Sequence, residues 1–450
     1  MKRWIPFLFV SALLLTCMPA FSQNTALASK VEAYLKPLLD EDLISGSVLI
    51  AKGDAVLVSR GFGPANREYN QPCTPETRFR LASVSKQFTA TAIMMLEEAG
   101  KLSVEDSLSQ YIPDYPRGGE ITLHHLLTHT SGVINYSRLE DHYRVWCMPH
   151  TLEQVIDRFK QKPLQFNPGE RWAYSNSGYV LLTYIIEKVS GLTYEEYLKQ
   201  HIFKPLDMAH SGVDRHTAVI PKRATGHYND GQGIVQAPYL DMAYTSGAGG
   251  LYATTGDLYK WDRALYGERL ISESSKKRMF TPYKAKYGYG WFITEMDGHR
   301  LIEHRGGLNG FLTQIYRFVD DDVVVITLFN YVSTFTRQVN RDLAALALGG
   351  DVPPVLIPEG VAVEARALEA HTGTYRLQPG YDLTVTVENG QLSVSGPGEP
   401  ATPGIAQSAN RFYLRKDNAL IEFTTDDDGS AMLLLYQSEH RYRCKKSQEN

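Results

Sequence analysis

The distance between its β-rich runs most restricts what this chain can fold into. Ser47-Val48-Leu49-Ile50-Ala51 and Ala55-Val56-Leu57-Val58-Ser59 flank Lys52-Gly53-Asp54, whose turn chemistry makes the pair a hairpin. The next β segments stand far downstream, at 289–293, 300–306, 312–319 and 323–329, the last two joined by Asp320-Asp321-Asp322. Helical patterns fill the interval. One sheet completed by distant parts of the chain is therefore expected. Ahead of the hairpin, Leu27, Val31, Leu35 and Leu38 mark one face of a helix over 26–39, which Pro37 is expected to kink or end near Lys36. A further helix is expected over 334–348.

Composition shifts at 349–365, where Gly349-Gly350-Asp351-Val352-Pro353-Pro354 and Pro358-Glu359-Gly360 read as a linker. Beyond it, over 366–446, the pattern is all β. Leu383, Val385 and Val387 alternate with polar residues, and Asn389-Gly390 supplies a type I′ turn. Several short strands at this spacing argue a small antiparallel barrel or sandwich. With 450 residues and 43% hydrophobic content there is material for two or three domains. A formal charge of -4 gives no electrostatic case for nucleic acid.

At the N-terminus, Lys2-Arg3 precede an apolar run from Trp4 to Leu15, then Pro19 and Ala20-Phe21-Ser22. This is the pattern of a secretory signal peptide over 1–22, and it implies a periplasmic or secreted protein. The run is too short, and too interrupted by Pro6, for a stable membrane span. Leu14-Leu15-Thr16-Cys17 loosely resembles a lipoprotein signal, but threonine before the cysteine fits that pattern poorly. The other cysteines, Cys73, Cys147 and Cys444, are too few for a disulfide framework and match no zinc spacing. An oxidising compartment would permit one pair, and the sequence does not say which.

Four stretches hold candidate chemistry. In Arg80-Leu81-Ala82-Ser83-Val84-Ser85-Lys86-Gln87-Phe88, Ser83 and Lys86 stand one helical turn apart, so the amine can reach the hydroxyl. A desolvated lysine can take a serine's proton, although Ser83 or Ser85 would equally serve as a helix cap. Phe88, Ala92, Met95 and Leu96 give that helix its apolar face, and Gly100 stops it. In Leu126-Leu127-Thr128-His129-Thr130-Ser131-Gly132, His129 lies four residues after His125, the spacing of a helical metal pair. No carboxylate completes such a site, so these read as packed or hydrogen-bonded histidines, and no metal is expected.

Tyr174 and Asn176, in Tyr174-Ser175-Asn176, project to one side of an extended backbone ahead of a helix over 178–189 that Gly191 closes. A core tyrosine and a capping asparagine would fit the same residues. Thr245-Ser246-Gly247-Ala248-Gly249-Gly250-Leu251-Tyr252 lacks the lysine and the strand–helix frame of a phosphate loop. It suits close backbone packing beside a site, and no cofactor is expected.

Taken in order, Ser83-Val84-Ser85-Lys86, Tyr174-Ser175-Asn176 and His304-Arg305-Gly306-Gly307 resemble the motifs of the serine β-lactamase-related hydrolases, the class C β-lactamase and D-peptidase group. The resemblance spans about 26–348, which makes 23–348 the hydrolase domain. It implies an α/β (α+β) β-lactamase/transpeptidase-like fold: an antiparallel sheet with flanking helices and a helical insertion, and the site at their junction. It also implies roles. Ser83 would be acylated, Lys86 and Tyr174 would share general base and acid duties, and Asn176 would bind the substrate's acyl-side amide or position the lysine. The His304 strand, with Gly306 and Gly307, would pair with an extended substrate, and the N–H groups of Gly307 and Ser83 would form the oxyanion hole.

Where β-lactamases and D,D-carboxypeptidases usually carry lysine, this chain has His304, which holds at most part of that charge near neutral pH. Arg305 is turned to the other face by strand alternation. The H-x-G form and the appended β domain look more like D-aminopeptidases and related esterases, whose C-terminal domain is lipocalin-like. The expected function is an exported serine hydrolase of amides or esters, with a small-molecule or peptide substrate. A class C-like β-lactamase or D,D-carboxypeptidase, and a catalytically silent penicillin-binding sensor, remain open alternatives.

Overall fold

The computed structural model describes residues 25–447 apart from 231–232, 356, 379, 427 and 438–439. The signal peptide expected at 1–22, with Cys17, lies outside the described residues.

The early hairpin and the late strands form one six-stranded antiparallel sheet in the order Phe292–Met296, His299–Leu308, Phe311–Phe318, Val323–Phe329, Gly46–Lys52, Ala55–Phe62. Its closing register sets Gly46 opposite Phe329 and Lys52 opposite Val323. Side chains of Gly46–Lys52 alternate between two cores. Val48 and Ile50 join helices Thr25–Asp40 and Thr336–Ala347 on one face, while Leu49 and Ala51 join the helical insertion on the other. That insertion contains helices Lys86–Glu98 and Asn176–Ser190.

Two local expectations shift. Helix Thr25–Asp40 continues through Pro37. Proline forfeits one backbone hydrogen bond, but the last turn buries Leu38 completely and pairs Lys36 with Asp40 at 2.8 Å. The strand expected at 289–293 begins only at Phe292, because 287–291 is a turn in which Gly288 N–H donates to Trp291 O at 2.8 Å and Tyr289 N–H to Met279 O at 3.0 Å.

The C-terminal region is a closed antiparallel barrel of eight strands, from Gly373–Gln378 to His440–Lys446. Its Asn389-Gly390 turn has positive φ at both residues, 52° and 75°, as a type I′ turn requires. The barrel docks on the helix-covered face of the sheet. Tyr413 is buried in the core that contains Phe335, Val339 and Leu343, and the Thr334 hydroxyl donates to Lys416 O at 2.9 Å.

Helix Thr255–Ala264 is pinned to the sheet by a buried ion pair, Arg317 Nε donating to Asp262 Oδ1 at 2.6 Å with both side chains 1% exposed or less. Arg263 holds the second Asp262 oxygen and Asp322, each at 2.7 Å, and Tyr266, Phe280 and Trp291 surround the Arg317 guanidinium. Breaking such a pair strands a buried charge and costs about 3–5 kcal/mol, whereas replacing both partners by apolar groups is near neutral. Asp262→Ala is therefore expected to lower the urea midpoint strongly, and Asp262→Leu with Arg317→Met to recover much of that loss. Equal midpoints for Asp262→Ala and wild type would contradict this account.

Candidate active site

The segment bearing Ser83 is clamped before its helix starts. Phe79–Arg80 pairs with Leu251–Ala253, Leu81 N–H donates to Leu251 O at 2.8 Å, and the Thr313 hydroxyl donates to Leu81 O at 2.7 Å. Ala82 then takes a left-handed φ of 49°, a conformation that costs about 1–3 kcal/mol and persists only where the surroundings enforce it. Gly306 makes the approach feasible, since a Cβ there would stand 2.4 Å from Leu81 O. Its role in the structure is thus to let the nucleophile segment pack against the sheet. Ala82–Ser85 forms a 3₁₀ turn that leads into helix Lys86–Glu98. In a 3₁₀ turn residues i and i+3 eclipse, which sets Lys86 directly over Ser83. Ser85 accepts Leu251 N–H at 3.1 Å and serves the framework.

Lys86 is fully buried, and burial holds its pKa well below that of an ordinary lysine. Its Nζ lies 3.1 Å from Ser83 Oγ, 2.8 Å from Asn176 Oδ1 and 2.7 Å from Ala248 O. A neutral amine has two N–H donors and one lone pair. Asn176 and Ala248 can only accept, so they take the two donors and leave the lone pair to accept the Ser83 hydroxyl. Protonated, the same nitrogen donates to all three oxygens. Both charge states of Lys86 are therefore matched by the site without rearrangement.

Tyr174 hydrogen-bonds Ser83 from the other side, and its ring covers Lys86 Nζ at 4.8 Å. Burial pushes its pKa up, opposed by the bond to Ser83 and the Arg305 charge, so the phenol holds its proton at neutral pH. Asn176 is the first residue of helix Asn176–Ser190 rather than part of an extended piece, and Gly191 closes that helix with φ 72° as expected. Asn176 still faces Lys86, because its backbone N–H is held by Asn135 Oδ1 at 3.3 Å.

His129 is buried and has φ 59° just beyond the short helix Leu123–Leu127, so it shares no helical face with His125. The reading as hydrogen-bonded histidines holds. His125 caps that helix through Thr122, and no metal-holding cluster occurs among the described residues. The sequence did not indicate what His129 holds. Its carbonyl accepts Ala173 N–H at 3.0 Å and its Nδ1 accepts Ser175 N–H at 3.2 Å, gripping the backbone on both sides of Tyr174. The two rings pack with centroids 4.3 Å apart. Burial and the Lys86 charge hold its pKa well below the ordinary histidine value, and a neutral ring is what an accepting Nδ1 requires.

His304 is also buried and uncharged. Its Nδ1 donates to Arg305 O at 2.7 Å, which leaves Nε2 to accept the Tyr287 hydroxyl at 3.1 Å. Burial, reinforced by the Lys86 charge, lowers its pKa to about 3. Glu303 is opposite Phe292, so His304–Leu308 extends past the neighbouring strand and, among the described residues, pairs only toward Phe311–Phe318. That leaves a free backbone edge beside the nucleophile. Gly307 on this edge lines a cavity of about 190 Å³ together with Ser83, Asn176, Ala248 and Gly249. Cys73, Cys147 and Cys444 are all free thiols and contribute nothing here.

Known proteins resemble the chain over both of its regions. Residues 27–349 match the family described as Beta-lactamase, and 358–448 match a domain of unknown function, DUF3471. The chain is 31% identical over 439 residues to a penicillin-binding protein of Bacillus subtilis (strain 168), covering 90% of this chain and 96% of that one. It is 28% identical over 357 residues to a D-aminopeptidase of Gluconobacter oxydans (strain 621H), covering 74% and 65%. Among solved structures, the octameric penicillin-binding protein homologue from Pyrococcus abyssi superposes with a TM-score of 0.65 at 28% identity, over 93% of this chain and 99% of that one.

The grip of His129 on Tyr174 generates a prediction. Asparagine tolerates positive φ and offers an oxygen where Nδ1 stood. His129→Asn is expected to retain most of the kcat that His129→Leu loses, roughly a hundred-fold. Thermal melts separate this from misfolding. Equal kcat for the two variants would show that His129 only fills space.

Proposed function

This chain belongs to the Beta-lactamase family, and from that premise we propose an exported serine hydrolase that cleaves amide or ester bonds through an acyl-enzyme at Ser83, with amides and peptides of D-amino acids as its leading substrates. The observation that carries the reading is the buried, deprotonation-prone Lys86 set against the Ser83 hydroxyl.

The groups give each step an owner. Lys86 takes the Ser83 proton as Oγ bonds the substrate carbonyl carbon. The Ser83 and Gly307 N–H groups receive the developing oxyanion, a contribution of about 3 kcal/mol per donor. Tyr174, still protonated, delivers its proton to the leaving nitrogen or oxygen as that bond breaks, and Lys86 returns one to it. Water then enters by the reverse route and releases the acid. A silent sensor would not need this complete set of proton-transfer groups. Export is supported by the pattern of 1–22.

Substrate preference follows from His304. The place where a lysine would meet a carboxylate holds a neutral imidazole bonded to Tyr287, and Arg305 belongs to the strand's opposite face beside Glu303. A substrate without a carboxylate at that end loses nothing here, which favours amides and esters over cephalosporins. The D-aminopeptidase relative points the same way.

Fluorophosphonate is expected to label wild type but not Ser83→Ala, and Lys86→Met to lower kcat about a hundred- to ten-thousand-fold. Because the folded-state pKa of Lys86 is depressed, kcat/KM rises with pH along a limb centred well below 10.5. No labelling and no turnover of D-amino-acid anilides, nitrophenyl esters or cephalosporins would refute the enzyme reading. His304→Lys is expected to raise turnover of a carboxylate-bearing cephalosporin relative to a D-amino-acid anilide, and an unchanged ratio would count against the role given to that position.

A further inference from the structure

The C-terminal barrel encloses a space of its own, which shares no lining residue with the cleft at Ser83. Eight strands leave an interior that side chains can fill or that can hold one small ligand, and here the two ends differ. One end is plugged. Helix Ala365–Glu369 sets Leu368 into the barrel core with Tyr375, Phe412 and Phe423, and the His371 ring stacks on Phe423 with centroids 4.0 Å apart. The other end holds a cavity of about 180 Å³ floored by Leu383, Val394, Leu414, Ile421 and Leu435.

The mouth of that cavity is acidic. Asp417, Glu399 and Tyr381 line it, and among the described residues no lysine or arginine does. Burial, then the Glu399 and Asp417 charges, push the Tyr381 phenol up, so its hydroxyl stands in the field of both carboxylates. The phenol reaches this place by lying over Gly396, where an added Cβ would stand 2.5 Å from its oxygen. Burial raises the Asp417 carboxyl above the usual carboxylate range, against the Thr402 hydroxyl that donates to it and the Lys416 charge, and Glu399 adds to the rise.

Asp417 is held at the mouth because its turn is tied down on both sides. The Thr334 hydroxyl donates to Lys416 O at 2.9 Å, Asn418 Nδ2 donates to Gln338 Oε1 at 3.3 Å, and Arg415 pairs with Glu41. Docking of the barrel on the hydrolase region thus fixes a carboxylate over an apolar floor. A carboxylate in such surroundings is costly, and an ammonium set against it offsets that cost through charge-assisted hydrogen bonds.

We propose that the open end of the barrel binds a small ammonium ligand with an apolar body, the body resting on Leu414 and Ile421 and the ammonium between Asp417, Glu399 and Tyr381. An apolar cavity of about 150 Å³ accepts benzene, so one ring or one branched alkyl group fills this space. A ligand bearing a carboxylate meets only like charge at the mouth. The region that matches DUF3471 thereby gains a binding role that does not depend on Ser83.

Calorimetric titration of the full-length protein at neutral pH tests this with benzylamine, benzyl alcohol and phenylacetate, before and after fluorophosphonate treatment. Benzylamine, which is protonated there, is expected to bind about ten- to a hundred-fold more tightly than benzyl alcohol, the range that one hydrogen bond to a charged group supplies. Phenylacetate is expected not to bind. Asp417→Asn keeps an oxygen for the Thr402 hydroxyl and should cut benzylamine affinity about ten-fold while leaving benzyl alcohol unchanged. Glu399→Gln, at an exposed position outside the barrel core, should cut it several-fold with an unaltered thermal melt. Absence of benzylamine binding, equal affinity for the three compounds, an affinity unmoved by Glu399→Gln or by a folded Asp417→Asn, or loss of binding once Ser83 is blocked overturns the proposal.

Discussion

The burial of one amine organises this molecule. Lys86 can sit at zero exposure only because oxygens from three separate parts of the chain converge on it: Ser83 one turn back, Asn176 at the head of another helix, and Ala248 in the glycine-rich stretch. Each partner brings a scaffold with it. Ser83 requires the Leu81 clamp to the sheet, Asn176 requires its tie to Asn135, and Ala248 requires the tight chain path through Gly247, where an added Cβ would meet Thr183 Oγ1 at 2.2 Å. Moving any of them would leave a buried amine short of a partner, which is costly in a low-dielectric interior.

The same desolvation acts on the groups around Lys86 with opposite consequences. It lowers the pKa of Lys86, His129 and His304 and raises that of Tyr174. In each case burial works against the charged form of the group.

Much of this was legible from residue order. The hairpin at 47–59, the far strands and the helix stop at Gly191 follow from periodicity and turn chemistry, and the motifs at Ser83, Tyr174 and His304 marked where to look. The role of Gly306 was harder to read, because its meaning lies in the 2.4 Å that separates an imagined Cβ from Leu81 O. His129 was visible as a residue but not as a clamp, since its partners are the main-chain groups of Ala173 and Ser175, 44 and 46 positions away. The edge-to-face pair of Tyr136 and Tyr244, with centroids 4.9 Å apart, gave no local signal, because the two residues stand 108 positions apart in the chain. Pro37 failed as a helix stop because the burial of Leu38 outweighed one missing hydrogen bond.

The third oxygen on Lys86 belongs to the main chain of Ala248, and the carbonyls of Leu81 and His129 perform comparable work nearby. Such contacts place no direct demand on side-chain identity. Substitutions that keep the local backbone path would be silent, and those that disturb it would be severe even far from the nucleophile. Inheritance of the site is then a matter of conserved conformation as much as conserved letters, and two chains could differ at 248 yet present the same oxygen to the same amine.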